Sequence, residues 1–285
     1  MKKLTVCMLL IALALSALMV GCGNNDESAA SSVVSTESAV SETASEAASE
    51  TASETASETA SADDVKVMTY AEYIAAEKDA EVIVETFVQA KQSWWLDSDT
   101  NQGKASLYTQ NEDGAIFVYN ALCSEDDFAK LSVGTKIRVK GFKGDYAGEI
   151  EIIDASIEIL EGSFVATAED VTAILGNEEE LLKKQNILAS FKGLTVVASQ
   201  DADGNDTAFL YKYNGSGQDG DDLYFKVSDG TNTYSFTVES YLCDKTTDVY
   251  AAVKALNIGD KIDMEGFLYW YNGINPHITK VAAAQ

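Results

Sequence analysis

The chain has 285 residues, and 46 Asp and Glu against 20 Lys and Arg give it a formal net charge of −26. Its one histidine nearly excludes histidine-based triads and multi-histidine metal sites. Arg138 is the only arginine, and so acidic a chain makes nucleic acid an unlikely partner, because Lys and Arg supply the affinity for a phosphate backbone.

Met1-Lys2-Lys3 precedes an apolar run over 4–20, interrupted only by Thr5, Cys7 and Ser16. That is a charged segment followed by a hydrophobic segment, shorter than the ~20 residues a spanning helix needs. Leu18-Met19-Val20-Gly21-Cys22 then resembles the lipobox of bacterial lipoproteins, with Met19 where Leu is usual. The resemblance implies a signal peptide over 1–21, cleavage before Cys22 and a diacylglyceryl group on that cysteine. The protein would then be lipid-anchored at the extracellular face of the cell membrane, in a Gram-positive setting. Two acyl chains hold a protein at a bilayer stably where one does not.

Residues 22–66 form the next segment, the lipidated cysteine and a linker. From Gly23 on it is mostly Ser, Thr, Ala and Glu with no aromatic residue, and it contains the repeats Ala48-Ser49-Glu50-Thr51, Ala52-Ser53-Glu54-Thr55 and Ala56-Ser57-Glu58-Thr59. Such a composition buries no core and reads as a disordered spacer. Glu at every fourth position stacks like charges on one helix face and disfavours a helix. As a flexible coil it reaches roughly 35–40 Å.

The remainder is duplicated. Leu131-Ser132-Val133-Gly134-Thr135-Lys136-Ile137-Arg138-Val139-Lys140-Gly141-Phe142 recurs as Leu256-Asn257-Ile258-Gly259-Asp260-Lys261-Ile262-Asp263-Met264-Glu265-Gly266-Phe267. Tyr146-Ala147-Gly148 and Tyr271-Asn272-Gly273 continue the match without a gap, and Leu122-Cys123 matches Leu242-Cys243 upstream. This is the signature of two copies of one unit, 67–162 and 163–285.

In chain order, a helix is predicted over 70–77. A first strand follows with Val82, Val84 and Val88 facing in and Ile83, Glu85 and Phe87 facing out. A second strand carries Tyr108. In the third, Ile116 and Val118 alternate with Phe117 and Tyr119. A polar helix over 124–131 begins at Ser124, an N-cap followed by three acids. A fourth strand holds Ile137 and Val139, and a fifth sets Ile150 and Ile152 against outward Glu149 and Glu151. The second copy repeats the order, with a leading helix over 168–184 and an inserted hairpin over 201–214.

Five strands per copy, a helix between the third and fourth, and a Gly-x-x-Ile-x-Val-x-Gly-Phe block entering the fourth resemble the OB-fold. The fold class is therefore mainly β, two tandem five-stranded OB-fold-like barrels, each with a leading helix. Gly134 and Gly259 would make entry turns, and Gly141 and Gly266 bulges. The fold hosts binders of oligonucleotides and oligosaccharides as well as enzymes, so it does not choose a function.

Such barrels bind ligands on the loop after strand one, the loop between strands four and five, and the face of strands two and three. The candidate ligand-binding residues on those surfaces are Trp94, Trp95, Tyr108, Tyr119, Tyr269, Trp270 and Tyr271, whose rings could stack on sugars or bases. The competing reading is that they plug the barrel ends or the contact between the two copies. Lys136, Arg138, Lys140 and Lys143 read as a solvated basic stripe on one strand. A staphylococcal-type nuclease, which shares this fold, is disfavoured by the scarcity of arginine. His277 reads as a structural strand residue.

Asp201, Asp203, Asn205 and Asp206 resemble the start of a calcium loop but lack the turn glycine and closing glutamate of an EF-hand. A hairpin turn is the favoured reading there, and no cofactor is expected. Cys123 and Cys243 read as buried thiols. The sequence thus points to a non-enzymatic ligand-binding or adaptor module for carbohydrate, cell-wall material or a protein. The alternatives are an accessory or catalytic protein for extracellular nucleic acid, and a structural partner of another membrane protein.

Overall fold

The computed structural model describes residues 66–284. Cys22, the leader and the spacer lie outside the described residues.

The first copy opens with α1 (Tyr70–Ala75), which Thr69 and Glu72 start by a reciprocal capping box. It stops at Ala75, short of 77, because the Lys143 ammonium takes its last carbonyls, those of Ile74 and Ala76, at 2.6 and 2.8 Å. Then come β1 (Glu81–Lys91), β2 (Gln102–Gln110), β3 (Ala115–Leu122), α2 (Glu125–Lys130), β4 (Thr135–Tyr146) and β5 (Glu149–Ser163). Strand β1 pairs with β2 and β4, β2 with β3, β5 with β4, and β3 runs parallel to β5, so the five strands close into a ring. Ser124 caps α2 by accepting from the Asp127 amide.

The second copy starts differently from its expected long helix. Glu169–Asp170 forms a short parallel strand, Thr172–Ile174 a single 3-10 turn, and α3 only Glu178–Leu182. Gly176 weakens the helix, and Asn177 restarts it by accepting from the Glu180 amide. Strands β6 (Leu188–Val197), β7 (Leu223–Ser228) and β8 (Thr233–Val238), helix α4 (Asp248–Lys254), and strands β9 (Lys261–Phe267) and β10 (His277–Ala283) repeat the first ring in the same pairing. The insertion between β6 and β7 contains the expected hairpin, as the pair Ser199–Gln200 with Asp206–Thr207. Both barrels lie in one compact unit, Ala60–Gln285.

The repeated glycines do what their positions demand. Gly134 and Gly259 have φ of 89° and 98°, conformations that suit glycine alone at little cost. At Gly141 a side chain would press on the Ile153 carbonyl and at Gly266 on that of His277, and both sit at register shifts in the β4–β5 and β9–β10 pairs.

Each barrel has its own core. Val82, Val84, Leu107, Ile137 and Ile152 fill the first, and Leu194, Phe225, Phe236, Met264 and Ile278 the second. A third cluster, Tyr108, Phe117 and Phe267, joins them. Simple alternation fails at the joint. Phe117, Glu149 and Glu151 should face water, yet Phe117 and Glu151 are almost fully covered and Glu149 is wholly buried, because the second barrel packs on the outer face of the first.

The basic stripe also differs from expectation. Lys143 is buried under α1. Lys136 and Arg138 pair with Glu85 at 2.6 and 2.8 Å, and Lys140 pairs with Glu81 at 2.9 Å. The stripe is a cross-strand ion-pair network and not a row of free cations. Cys123 and Cys243 are free, buried thiols, and burial pushes Cys243 up to about 12.

Candidate functional site: a groove at the barrel joint

The duplicated turns between strands four and five meet each other. Ala147-Gly148 and Asn272-Gly273 both take positive φ, and the Asn272 amide donates to the Ala147 carbonyl at 2.8 Å. Tyr146 and Tyr271 stand side by side there, ring centroids 5.9 Å apart. Trp270 lies against Gly148 and is buried. Gln185 donates to the Gly148 carbonyl at 2.8 Å and accepts from the Ile150 amide at 3.1 Å.

Glu149 is the polar centre of this contact. Its carboxyl accepts from the Trp270 amide at 3.0 Å and meets the Asn186 side-chain amide closely. Burial raises its pKa to about 9, so it is protonated at neutral pH. The Asn186 amide oxygen has no partner as assigned. Exchanging the two ends of that amide would let it accept the Glu149 proton, an assignment that only the hydrogen-bond network decides.

Beside the joint the two barrels leave a groove. Gln92, Ser93, Trp95, Tyr119, Glu239, Tyr241, Tyr269 and His277 surround about 550 Å³ of it. Tyr119 and Asn120 also line an adjoining hollow of about 520 Å³ that contains Gln102, Lys104, Glu151 and Asp154. Trp95, Tyr119 and Tyr241 present open rings, 41%, 46% and 67% exposed. Trp95 is steadied by its indole N–H donating to Asn120 Oδ1 at 3.3 Å and by the Lys104 ammonium 5.3 Å from its ring centre. Lys104 is itself paired with Asp97, which it holds down at about 2.

The seven candidate aromatics therefore divide. Trp95 and Tyr119 line the groove, and Tyr271 is exposed at the turn contact. Trp94 is structural: its indole donates to the Cys123 carbonyl at 2.9 Å and covers Gly103. Tyr108 is fully buried, stacked on Phe267 at 4.4 Å and bonded to His277 Nδ1 at 2.6 Å. Tyr269 stacks on His277 at 4.3 Å, with one side on the groove. Trp270 belongs to the joint. His277 is a buried, neutral imidazole whose pKa burial lowers to about 3.

Three residues of the groove and its adjoining hollow were not legible as such. Tyr241 follows β8 on a turn, where its amide bonds to Glu239 and its carbonyl takes the Ser93 amide at 2.7 Å. Glu239 accepts from Gln92 of the other barrel at 3.0 Å, and burial raises its pKa to about 7. Glu151 is likewise raised to about 7, by burial first and by Asp145 second. A glutamate on an alternating strand carries no mark in sequence that the face it occupies will be covered.

The calcium-like segment is a closed hairpin. The Asp201 carboxylate accepts from the amides of Asp203 and Asn205 at 2.9 and 2.8 Å, and Asn205 adds its side-chain amide. Asp203 and Asp206 are exposed around that turn. Among the described residues no group of three or more His, Cys, Asp or Glu side chains is placed to hold a metal ion.

No family model and no curated protein matches the chain. Among solved structures, a HINb domain matches over 73% of this chain and 99% of its own, at 10% identity and a TM-score of 0.33. The Ifi202 HINa domain in complex with 20bp dsDNA matches over 72% and 100%, at 11% and 0.32. A Replication Protein A heterotrimer bound to ssDNA matches over 77% and 69%, at 12% and 0.25. At these values the likeness supplies no ligand for this chain. Against the expectation that nucleic acid is an unlikely partner, matched chains were solved on double-stranded and on single-stranded DNA.

Proposed function

We propose that this chain is a non-enzymatic binding module, held by lipid on Cys22 at the outer face of a membrane and receiving a carbohydrate in the groove between its barrels. The observation that carries the binding site is the set of open rings, Trp95, Tyr119 and Tyr241, converging on one hollow with Gln92, Asn120 and Glu239 beside them. Flat rings take the apolar faces of sugars, and amides and carboxyls take their hydroxyls. The joint fixes the aromatic walls, so little ordering is needed on binding.

The full chain should show shifted tryptophan fluorescence and a raised melting temperature with cell-wall oligosaccharides in a glycan panel. Trp95→Ala should weaken that response by about tenfold or more, the size of one lost aromatic anchor. A panel with no response would sink the carbohydrate reading. The same rings could stack the bases of a single strand, which is the second reading. It requires salt-dependent binding of an oligonucleotide that Trp95→Ala abolishes.

The anchor has its own test. Cells fed a labelled fatty acid should label the protein, and Cys22→Ser should abolish the label and leave the leader uncleaved. Labelling that persists in the variant would refute anchoring at Cys22.

A further inference from the structure

Glu151 is an oddity within the groove. It is only 5% exposed, yet among the described residues its carboxyl has neither a hydrogen-bond partner nor a counter-ion, and it lines the hollow shared by Tyr119 and Asn120. Its oxygens are not among the sealed, unpartnered polar atoms of the described residues, so the carboxyl opens onto the hollow and is free to meet what enters it. The nearest cation on that wall, Lys104, is already committed to Asp97. Asp154 stands on the same wall and Glu239 on the adjoining one. His277, also buried, engages Tyr108 through Nδ1 alone and lines the adjoining groove. The walls thus carry open aromatic faces and acids without a cationic partner, a combination that attracts an ammonium group more than a neutral or anionic one.

We propose that the sugar seated in this groove bears a free amino group and that Glu151 receives its ammonium, with Glu239 and the Trp95 and Tyr119 rings flanking it. The inference rests on the carbohydrate reading above and narrows it to amino sugars that are not acetylated. An ammonium on Glu151 makes a charge-assisted hydrogen bond, stronger than any the acetamide of the acetylated sugar could offer there.

The test titrates the full chain with β-1,4-linked glucosamine oligosaccharides and with their N-acetylated counterparts of the same length. The free amine should bind about tenfold more tightly, the worth of one hydrogen bond to a charged group. Glu151→Gln should reduce that preference to near unity while leaving the acetylated ligand's affinity as it was. Glu239→Gln should reduce it less.

Equal binding of the two sugars would overturn the inference and leave the carbohydrate reading intact. Failure of both to bind would overturn the two together. The ligand-side comparison does not depend on any variant folding. A preference that survives unchanged in a Glu151→Gln protein of wild-type melting temperature would remove Glu151 from the role.

Discussion

Replacing Glu149 with glutamine should stabilise the protein at and above neutral pH and leave it unchanged in acid. The folded pKa of Glu149, about 9, lies above that of an exposed glutamate. The folded state therefore holds a proton that the unfolded state releases above about pH 4.5. Stability from this group is fully present below the unfolded pKa and is lost progressively as pH rises toward 9.

At pH 8 the loss is on the order of a few kcal/mol. Glutamine needs no proton, can accept from the Trp270 amide and can donate to Asn186. Thermal melts across pH 4–9 should show the variant diverging upward from the parent, by roughly 5–10 °C at pH 8 for a unit of this size. Destabilisation at every pH would mean that Glu149 is held as a carboxylate.

Trp270→Ala should have an effect of similar size and opposite sign. The ring is buried between the second barrel's core and Gly148 of the first. Truncating such a residue costs about 3–5 kcal/mol. Because the side chain fills the joint, the loss should also loosen one barrel from the other. Hydrogen exchange should quicken in 147–150 and in 185–187, the segments that clamp each other, with the β1–β4 core pairs less affected. A uniform increase over both barrels would contradict a local role.

Much of the fold was legible because it rests on repetition and alternation. The Gly134 and Gly259 blocks marked the duplication, and the burial of Val82, Val84, Ile137 and Val139 followed the expected faces. The joint was not legible, since a strand covered on its second face looks, residue by residue, like one that is not. A cue existed in Leu107-Tyr108 and in Ile116-Phe117-Val118, runs apolar on both faces and therefore covered on both.

The candidate aromatics were found as a group but could not be sorted. Trp94 and Trp95 are neighbours in sequence, yet one donates to a carbonyl beneath it and the other stays open. That division depends on the Gly103 gap, which only the paired strands create. Glu239 was invisible for the same reason as the joint: it meets Gln92 of the other copy.

The contact between the Ala147-Gly148 and Asn272-Gly273 turns has a further consequence. Each turn is the counterpart of the other, so the duplication that made the two barrels also made the two halves of the clamp that joins them. A residue inserted into either hairpin would break the Asn272–Ala147 bond and act on both copies at once. The two copies can therefore diverge in their cores more freely than in the length of these turns.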